Sequence, residues 1–264
     1  MSATNHTPRW IALDGAVNAR AVVPSVLLRA DNLQSLSAGD VRVLVDQHAV
    51  EVVIDLRTDV EARLEGSGPM TAERGVRIEL RSLYPDSDGS TGLDAGTVKP
   101  WEVRNEEESP DERPVVRAYM GYLRRRPDSI VGAVRAIAST RGAVLVHCAA
   151  GKDRTGVVVA LALDAAGVER AAIVADYLAT AERIDAIIAR LVSSPLYRDQ
   201  LESRESRHHA PVPGTIERVL ELVDERHGGS VAWLLANGLD ESELQQLRRR
   251  LRAQGSGSAS KDPA

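Results

Sequence analysis

The sequence predicts an α/β fold with a largely helical C-terminal part, on three observations. The stretch EVVIDLRT, residues 51–58, is a β-rich apolar run that ends on charge at Asp55 and Arg57. That is the pattern of a buried strand opening into a loop. The stretch RGAVLVHC, residues 141–148, repeats it, and after a short loop of small residues GVVVALALDAAG, residues 156–167, reads as an apolar helix. From residue 168 onward, apolar side chains recur at helical spacing.

The elements follow in order. AVVPSVLLRAD, residues 21–31, holds one or two short strands around Pro24. In SAGDVRVLVDQHA, residues 37–49, Ser37 is a helix N-cap with Asp40 three positions later. GVRIELRSL, residues 75–83, alternates Val76, Ile78 and Leu80 with charged residues and reads as a strand. Residues 85–113 are rich in Gly, Pro and acids and read as a long mobile loop or lid. Helices are expected over 114–126 and 128–139, separated at Pro127. The helix of 156–167 closes at Gly167. Residues 168–192 carry apolar residues at helical spacing, 215–229 read as a helix ending in a glycine pair, and 240–253 as a helix with Leu244, Leu247 and Leu251 on one face. The expected organisation is an N-terminal extension over 1–19, a single domain over 20–253, and a disordered Gly/Ser-rich tail over 254–264.

Composition narrows the function. Phe is absent and aromatics are only 3%, so the core must be built from Leu, Val, Ile and Ala. A net charge of -5 argues against a nucleic-acid partner and against a basic membrane-surface protein. No apolar run approaches the roughly 20 residues that cross a bilayer, so no integral membrane segment is expected. The N-terminus lacks the charged and apolar regions of a signal peptide. The expected location is the cytoplasm, or outside the cell without a recognisable signal. A single cysteine excludes an internal disulfide.

That cysteine sits in HCAAGKDRTG, residues 147–156. A strand, a short loop and a helix form an anion site, because the first N–H groups of the helix lack partners and its dipole adds positive charge. Ala149, Ala150 and Gly151 are small enough for the loop to curl around one phosphate, and Arg154 offers a planar fork to two phosphate oxygens. The same field favours the thiolate, lowering a thiol from about 8.5 to roughly 3.5–7.5. Cys148 is then placed for in-line attack on phosphorus, giving a phosphocysteine that water hydrolyses. Arg154 and the loop amides stabilise the equatorial oxygens. Thr155, ahead of Gly156, is placed to hydrogen-bond the departing sulfur, and His147 to hold the loop from below. Asp153 is the first candidate for the acid that protonates the leaving oxygen. Asp86 is the rival and Asp88 a weaker one, since an acid on a mobile loop closes over substrate. Lys152 adds a second cation at the mouth, suited to a substrate with more than one phosphate or to an acidic phosphopeptide.

The spacing of Cys148, Arg154, Thr155 and Gly156, preceded by His147, resembles the signature of the cysteine-dependent tyrosine and dual-specificity phosphatases. The whole loop resembles that of a bacterial tyrosine phosphatase family whose members often act on both phosphotyrosine and phosphoinositides. The likeness extends to VLLRADNLQSLSAGD at 26–40, VVIDLRTDVEAR at 52–63, VADYLATAERI at 174–184 and VAWLLANGLDESELQQLRRRL at 231–251, so it covers about residues 20–252. The resemblance implies a central, mostly parallel sheet flanked by helices, with the phosphate loop at the end of a central strand. It implies a protein tyrosine phosphatase acting on phosphorylated protein or phosphoinositide, with phosphate as product and with no metal or other cofactor. It also favours Asp153 as the acid. One departure stands out. The family's N-x-R-D-x-G-G element is matched here by Asn18 and Arg20 only, within VNARAVVPS at 17–25.

Plainer readings exist for each residue. A lone buried cysteine is commonly a small hydrophobe, but the arginine spacing argues against that here. Asp153 serves equally to orient loop amides or pair with Lys152, Asp86 to shape a turn, and Lys152 as a solvated cation. Asp55 and Arg57 read as a structural pair, and Asp176 and Tyr177 as helix packing beside the loop. A sulfurtransferase also holds cysteine in an anion loop, and a phosphate-binding module without turnover is the third function class.

Overall fold

The computed structural model describes residues 8–85, 112–201 and 206–252. Most of the 85–113 loop, with Asp86 and Asp88, lies outside the described residues, as does the tail. Six strands form one sheet: β1 (Arg9–Trp10), β2 (Arg20–Val23), β3 (Leu27–Ala30), β4 (Val50–Asp55), β5 (Arg77–Leu80) and β6 (Ala143–His147), in the order β1-β2-β3-β6-β4-β5. β3, β6, β4 and β5 run parallel, and β1 and β2 add antiparallel at one edge. The sheet is therefore central and mostly parallel, as the resemblance implies. Residues 9 and 10, within the segment read as an extension, pair with β2 through Arg9–Ala21 and Trp10–Arg20.

β6 lies between β3 and β4 and is buried along its whole length. Alternate residues of such a strand feed two cores. Val144 and Val146 pack with Leu27, Val52 and Ile54 into the larger apolar cluster. Leu145, with Leu28 and Val53, packs into the smaller one with Val41 and Leu44. The second face is covered by α1 (Ala38–Arg42), whose Ser37–Asp40 capping box forms as expected, and by a π-helical turn at Val43–Gln47. α2 (Asp59–Glu65) follows β4.

The larger cluster is enclosed by α3 (Pro114–Arg125), α4 (Pro127–Ser139) and α5 (Asp153–Ala166). α5 buries nearly every residue from Thr155 to Ala166, as a helix apolar on all sides must. It ends where Gly167 takes a left-handed φ of 79°. Around it pack α9 (Thr215–His227), α10 (Ser230–Ala236) and α11 (Glu241–Arg252), and Leu244, Leu247 and Leu251 supply the buried face of α11.

Residues 168–192 are helical, as their spacing predicts, but divided. They form α6 (Arg170–Ala179), a 3₁₀ turn at Thr180–Arg183, and α7 (Ile184–Ser193), followed by α8 (Pro195–Leu201). The reason lies far away in sequence. Arg20 donates from Nη2 to the Asp176 carbonyl and to Thr180 Oγ1, so the helical ladder is interrupted there.

Candidate active site

β6 delivers Cys148 at its C-terminal end, residues 149–152 form the loop, and α5 begins at Asp153. The loop is held from outside by its carbonyls. Asn32 N–H donates to Ala149 O at 3.0 Å. Asn18 Nδ2 donates to Ala150 O at 2.9 Å and to Gly151 O at 3.3 Å. Arg29 Nη2 donates to Gly151 O at 2.7 Å. With the carbonyls engaged, none of the N–H groups of residues 149–155 has an acceptor among the described residues. That leaves a run of donors free of protein acceptors among the described residues, with the dipole of α5 behind it.

Gly151 makes this path possible. Its φ is 65°, and an added Cβ would lie 2.3 Å from Ala30 O. Only glycine fits so close to β3 in that conformation.

A second layer of charge fixes the clamps. Arg20 Nη1 donates to Asn18 Oδ1 at 2.6 Å, and Asp176 receives Arg20 Nε at 2.8 Å and Arg29 Nη1 at 2.5 Å. Burial works against the Asp176 carboxylate, but Arg29 and Arg20 outweigh it and hold its pKa below the usual range. Burial and the neighbouring Arg29 bring Arg20 down to about 10. Asp31 accepts from the N–H groups of Val17 and Asn18, and Arg190 binds its other oxygen at 3.1 Å. Of the matched members of the N-terminal element, Asn18 therefore reaches the loop itself, and Arg20 holds Asn18 from behind. The element's unmatched positions run along β2 and the turn after it. Asp176 acts on the clamp rather than merely on helix packing.

Cys148 is 2% exposed. Beneath it His147 is buried, with Nδ1 3.3 Å from the Cys148 carbonyl and Nε2 3.7 Å from Asp55 Oδ1. Burial lowers the His147 pKa despite the pull of Asp55. Asp55 and Arg57 form the expected buried pair, with Arg57 Nη2 2.6 Å from Asp55 Oδ2.

Arg154 lies in the first turn of α5. Its Nη1 and Nη2 donate to the two carboxylate oxygens of Glu61 at 2.6 and 2.9 Å, and the Tyr84 ring lies 5.7 Å from its guanidinium. Burial opposes its charge, but Glu61 and Cys148 raise the Arg154 pKa far above normal. Glu61 is fixed in turn by a capping box with Thr58 and by Tyr197 OH at 2.9 Å. Glu61 was not singled out from sequence. The signal for it was the capping sequence Thr58-Asp59-Val60-Glu61 directly after β4, which places a carboxylate at a strand's C-terminal end.

Asp153 is the first residue of α5 and its side chain is 31% exposed. Its Oδ1 accepts from Tyr119 OH at 2.5 Å and lies 3.6 Å from Lys152 Nζ. Lys152 does not stand free, because Nζ donates to the His209 carbonyl at 2.5 Å. Thr155 Oγ1 is buried with no hydrogen-bond partner among the described residues. An added Cβ at Gly156 would meet the Tyr177 ring at 3.0 Å, so the helix packs closely on that ring.

The tyrosines other than Tyr177, which reads from sequence as helix packing beside the loop, were a second omission. The chain has five Tyr and no Phe, and all five gather here. Tyr84 lies over Arg154, Tyr122 OH is 3.1 Å from Tyr84 OH, Tyr119 binds Asp153, Tyr177 OH is 3.0 Å from Tyr119 OH, and Tyr197 binds Glu61. Their irregular spacing hides the cluster. The clue was a chain that keeps a hydroxyl on every non-indole aromatic ring.

Sequence comparison adds to this geometry. The model of the tyrosine phosphatase family matches residues 13–253. A tyrosine-protein phosphatase from Nostoc commune is 30% identical over 92% of this chain and 80% of its own length. The triple specificity protein phosphatase PtpB of Mycobacterium tuberculosis is 27% identical over 90% of this chain and 95% of its own.

Proposed function

The chain belongs to the tyrosine phosphatase family and is a phosphoric monoester hydrolase, and on that footing we propose that it hydrolyses phosphotyrosine through a phosphocysteine at Cys148. The observation that carries the reading is the loop itself. Its carbonyls are clamped outward, the N–H groups of residues 149–155 are left without protein acceptors among the described residues, and the thiol of Cys148 stands at its base with Arg154 alongside.

The chemistry runs in two displacements. The Cys148 thiolate attacks phosphorus, the S–P bond forms, and the P–O bond to tyrosine breaks while Asp153 gives its proton to the departing oxygen. Water then attacks the phosphocysteine, Asp153 takes a proton from it, and the S–P bond breaks to return the thiolate and release phosphate. The loop amides and Arg154 stabilise the equatorial oxygens in both transition states, a contribution of about 3–4 kcal/mol for a single well-placed donor. Glu61 and Tyr197 keep the Arg154 fork in register. Thr155 Oγ1, buried without a partner among the described residues, is suited to donate to the leaving sulfur.

The Mycobacterium tuberculosis relative's name records triple specificity, which favours a broad range of phosphomonoesters with phosphotyrosine among them. Lys152 is occupied by His209 and lies near Asp153, so it gives no particular support to a multiply phosphorylated lipid. No helix among the described residues is long and apolar enough to cross a membrane. The test is phosphate release from a phosphotyrosine peptide in chelator, comparing the natural chain with Cys148→Ser. Turnover that persists in chelator and is abolished in the variant supports the reading. Equal turnover in the two proteins refutes it.

A further inference from the structure

Asp153 carries an asymmetric set of contacts. Both groups that approach its carboxylate, Tyr119 OH at 2.5 Å and Lys152 Nζ at 3.6 Å, meet Oδ1. Oδ2 has no partner among the described residues. Tyr119 is buried in the middle of α3, where a phenylalanine ring would fill the same space. Burying a hydroxyl costs free energy unless it is hydrogen-bonded, so the hydroxyl is retained for its bond.

The hydrogen-bond direction is fixed by counting protons. A carboxylate only accepts, so Tyr119 donates to Asp153 Oδ1. Tyr119 then has no proton left for Tyr177, 3.0 Å away, and Tyr177 must donate to Tyr119. The row Tyr177, Tyr119, Asp153 therefore points one way. It survives protonation of the acid on Oδ2, because Oδ1 still accepts as a carbonyl oxygen. Burial and the Asp153 charge push the Tyr119 pKa far up, so the phenol keeps its proton throughout.

We infer that Tyr119 is a positioning residue for the phosphatase reaction: it anchors Asp153 through Oδ1 so that Oδ2 alone carries the proton to the leaving oxygen and takes it back from water. Tyr177 supports it at one remove by orienting the Tyr119 hydroxyl. The inference rests on Asp153 being the general acid. A partly exposed aspartate at a helix start otherwise rotates freely, and misorientation of an acid by a fraction of an ångström lowers the rate without weakening substrate binding.

The experiment is steady-state kinetics on a series of phosphate esters, from activated aryl phosphates to alkyl phosphates, with Tyr119→Phe, Tyr177→Phe, Asp153→Asn and the double variant Tyr119→Phe/Asp153→Asn. Asp153→Asn should lose kcat/KM, which reports the first displacement, steeply with poor leaving groups and little with good ones. Tyr119→Phe should show the same pattern in weaker form, about tenfold with the poorest leaving group, with KM within about twofold. Tyr177→Phe should follow in the same direction, more weakly. In the double variant, Tyr119→Phe should add no further dependence on the leaving group. A Tyr119→Phe loss that is uniform across the series, or absent, overturns the inference while the acid assignment stands. If Asp153→Asn itself loses kcat/KM uniformly, the acid assignment fails first and the inference fails with it. Should Tyr119→Phe not fold, Tyr177→Phe decides: a leaving-group-dependent loss supports the positioning role, and an unchanged or uniformly lowered series overturns it.

Discussion

Replacing Glu61 by glutamine removes one negative charge from the buried pair with Arg154 and leaves nearly everything else in place. Glutamine serves in the capping box with Thr58 as glutamate does, and its carbonyl oxygen still accepts one hydrogen bond. What disappears is one of two charge-assisted bonds, at 2.6 and 2.9 Å, the acceptor for Tyr197 OH, and the compensation of an Arg154 side chain that is only 11% exposed. Breaking a buried pair from one side typically costs about 3–5 kcal/mol. The retained acceptor puts the expectation near the lower end, about 3 kcal/mol. For a domain of this size, about 2–4 °C accompanies each kcal/mol, so the midpoint of thermal unfolding should fall by roughly 6–12 °C. Inorganic phosphate should restore much of the loss, because an anion in the loop supplies the missing negative charge. The Arg154 fork also loses its register, so kcat/KM should drop about 100-fold, as when one transition-state donor is removed. Calorimetry with and without phosphate, alongside peptide turnover, reads all three effects. A midpoint within about 2 °C of the natural chain, with kcat/KM within about twofold, would show that Glu61 does not anchor Arg154.

Two further outcomes follow. Gly151→Ala forces a side chain into a left-handed conformation, at about 1–2 kcal/mol, and brings its Cβ to 2.3 Å from Ala30 O. The loop must shift, and phosphopeptide turnover should fall about 100-fold while circular dichroism stays native; near-normal turnover would contradict the clamped-loop geometry. Stability should decline with acid in two stages. His147 is buried with a pKa lowered by burial, so its share of stability is complete above the ordinary histidine value of 6.5 and is lost below it, at no more than about 1.4 kcal/mol per pH unit. Burial works against the carboxylates of Asp55, Glu61 and Asp176, yet His147 and Arg57 for Asp55, Arg154 for Glu61, and Arg29 and Arg20 for Asp176 hold them below their ordinary range. Their share is present above about pH 4 and is lost as pH falls through the folded values. Urea midpoints measured from pH 8 to pH 3 check both stages, and a flat profile down to pH 4 would contradict the first.

The parts legible in the sequence were those whose causes are local. β6 is buried along its whole length and β4 at every residue but Glu51, so each announces itself by a short apolar run. α11 shows its buried Leu244, Leu247 and Leu251 because one face meets the core. Cys148 and Arg154 are readable because a single short loop holds both. What was hidden depends on residues distant in the chain. Glu61 meets Arg154 across 93 positions, Tyr197 meets Glu61 across 136, and Arg20 meets Asp176 across 156. The same Arg20 meets Thr180 at the break between α6 and α7 from 160 positions away, which helical spacing alone does not show. β1, two residues at the sheet edge, is too short to carry a period. Tyr119 and Asp153 each look ordinary alone, and only the packing of α3 against the start of α5 joins them.

The covalent intermediate is the most direct test of the account. Asp153→Asn, turning over an activated aryl phosphate, should pass the first displacement readily and stall in the second, where water needs a base. Rapid acid quench followed by intact-mass and peptide analysis should find one phosphoryl group per chain, on Cys148. Continued turnover by the natural chain with no phosphoryl group trapped on Cys148 in either protein, together with a Cys148→Ser variant that still releases phosphate, would contradict the cysteine mechanism.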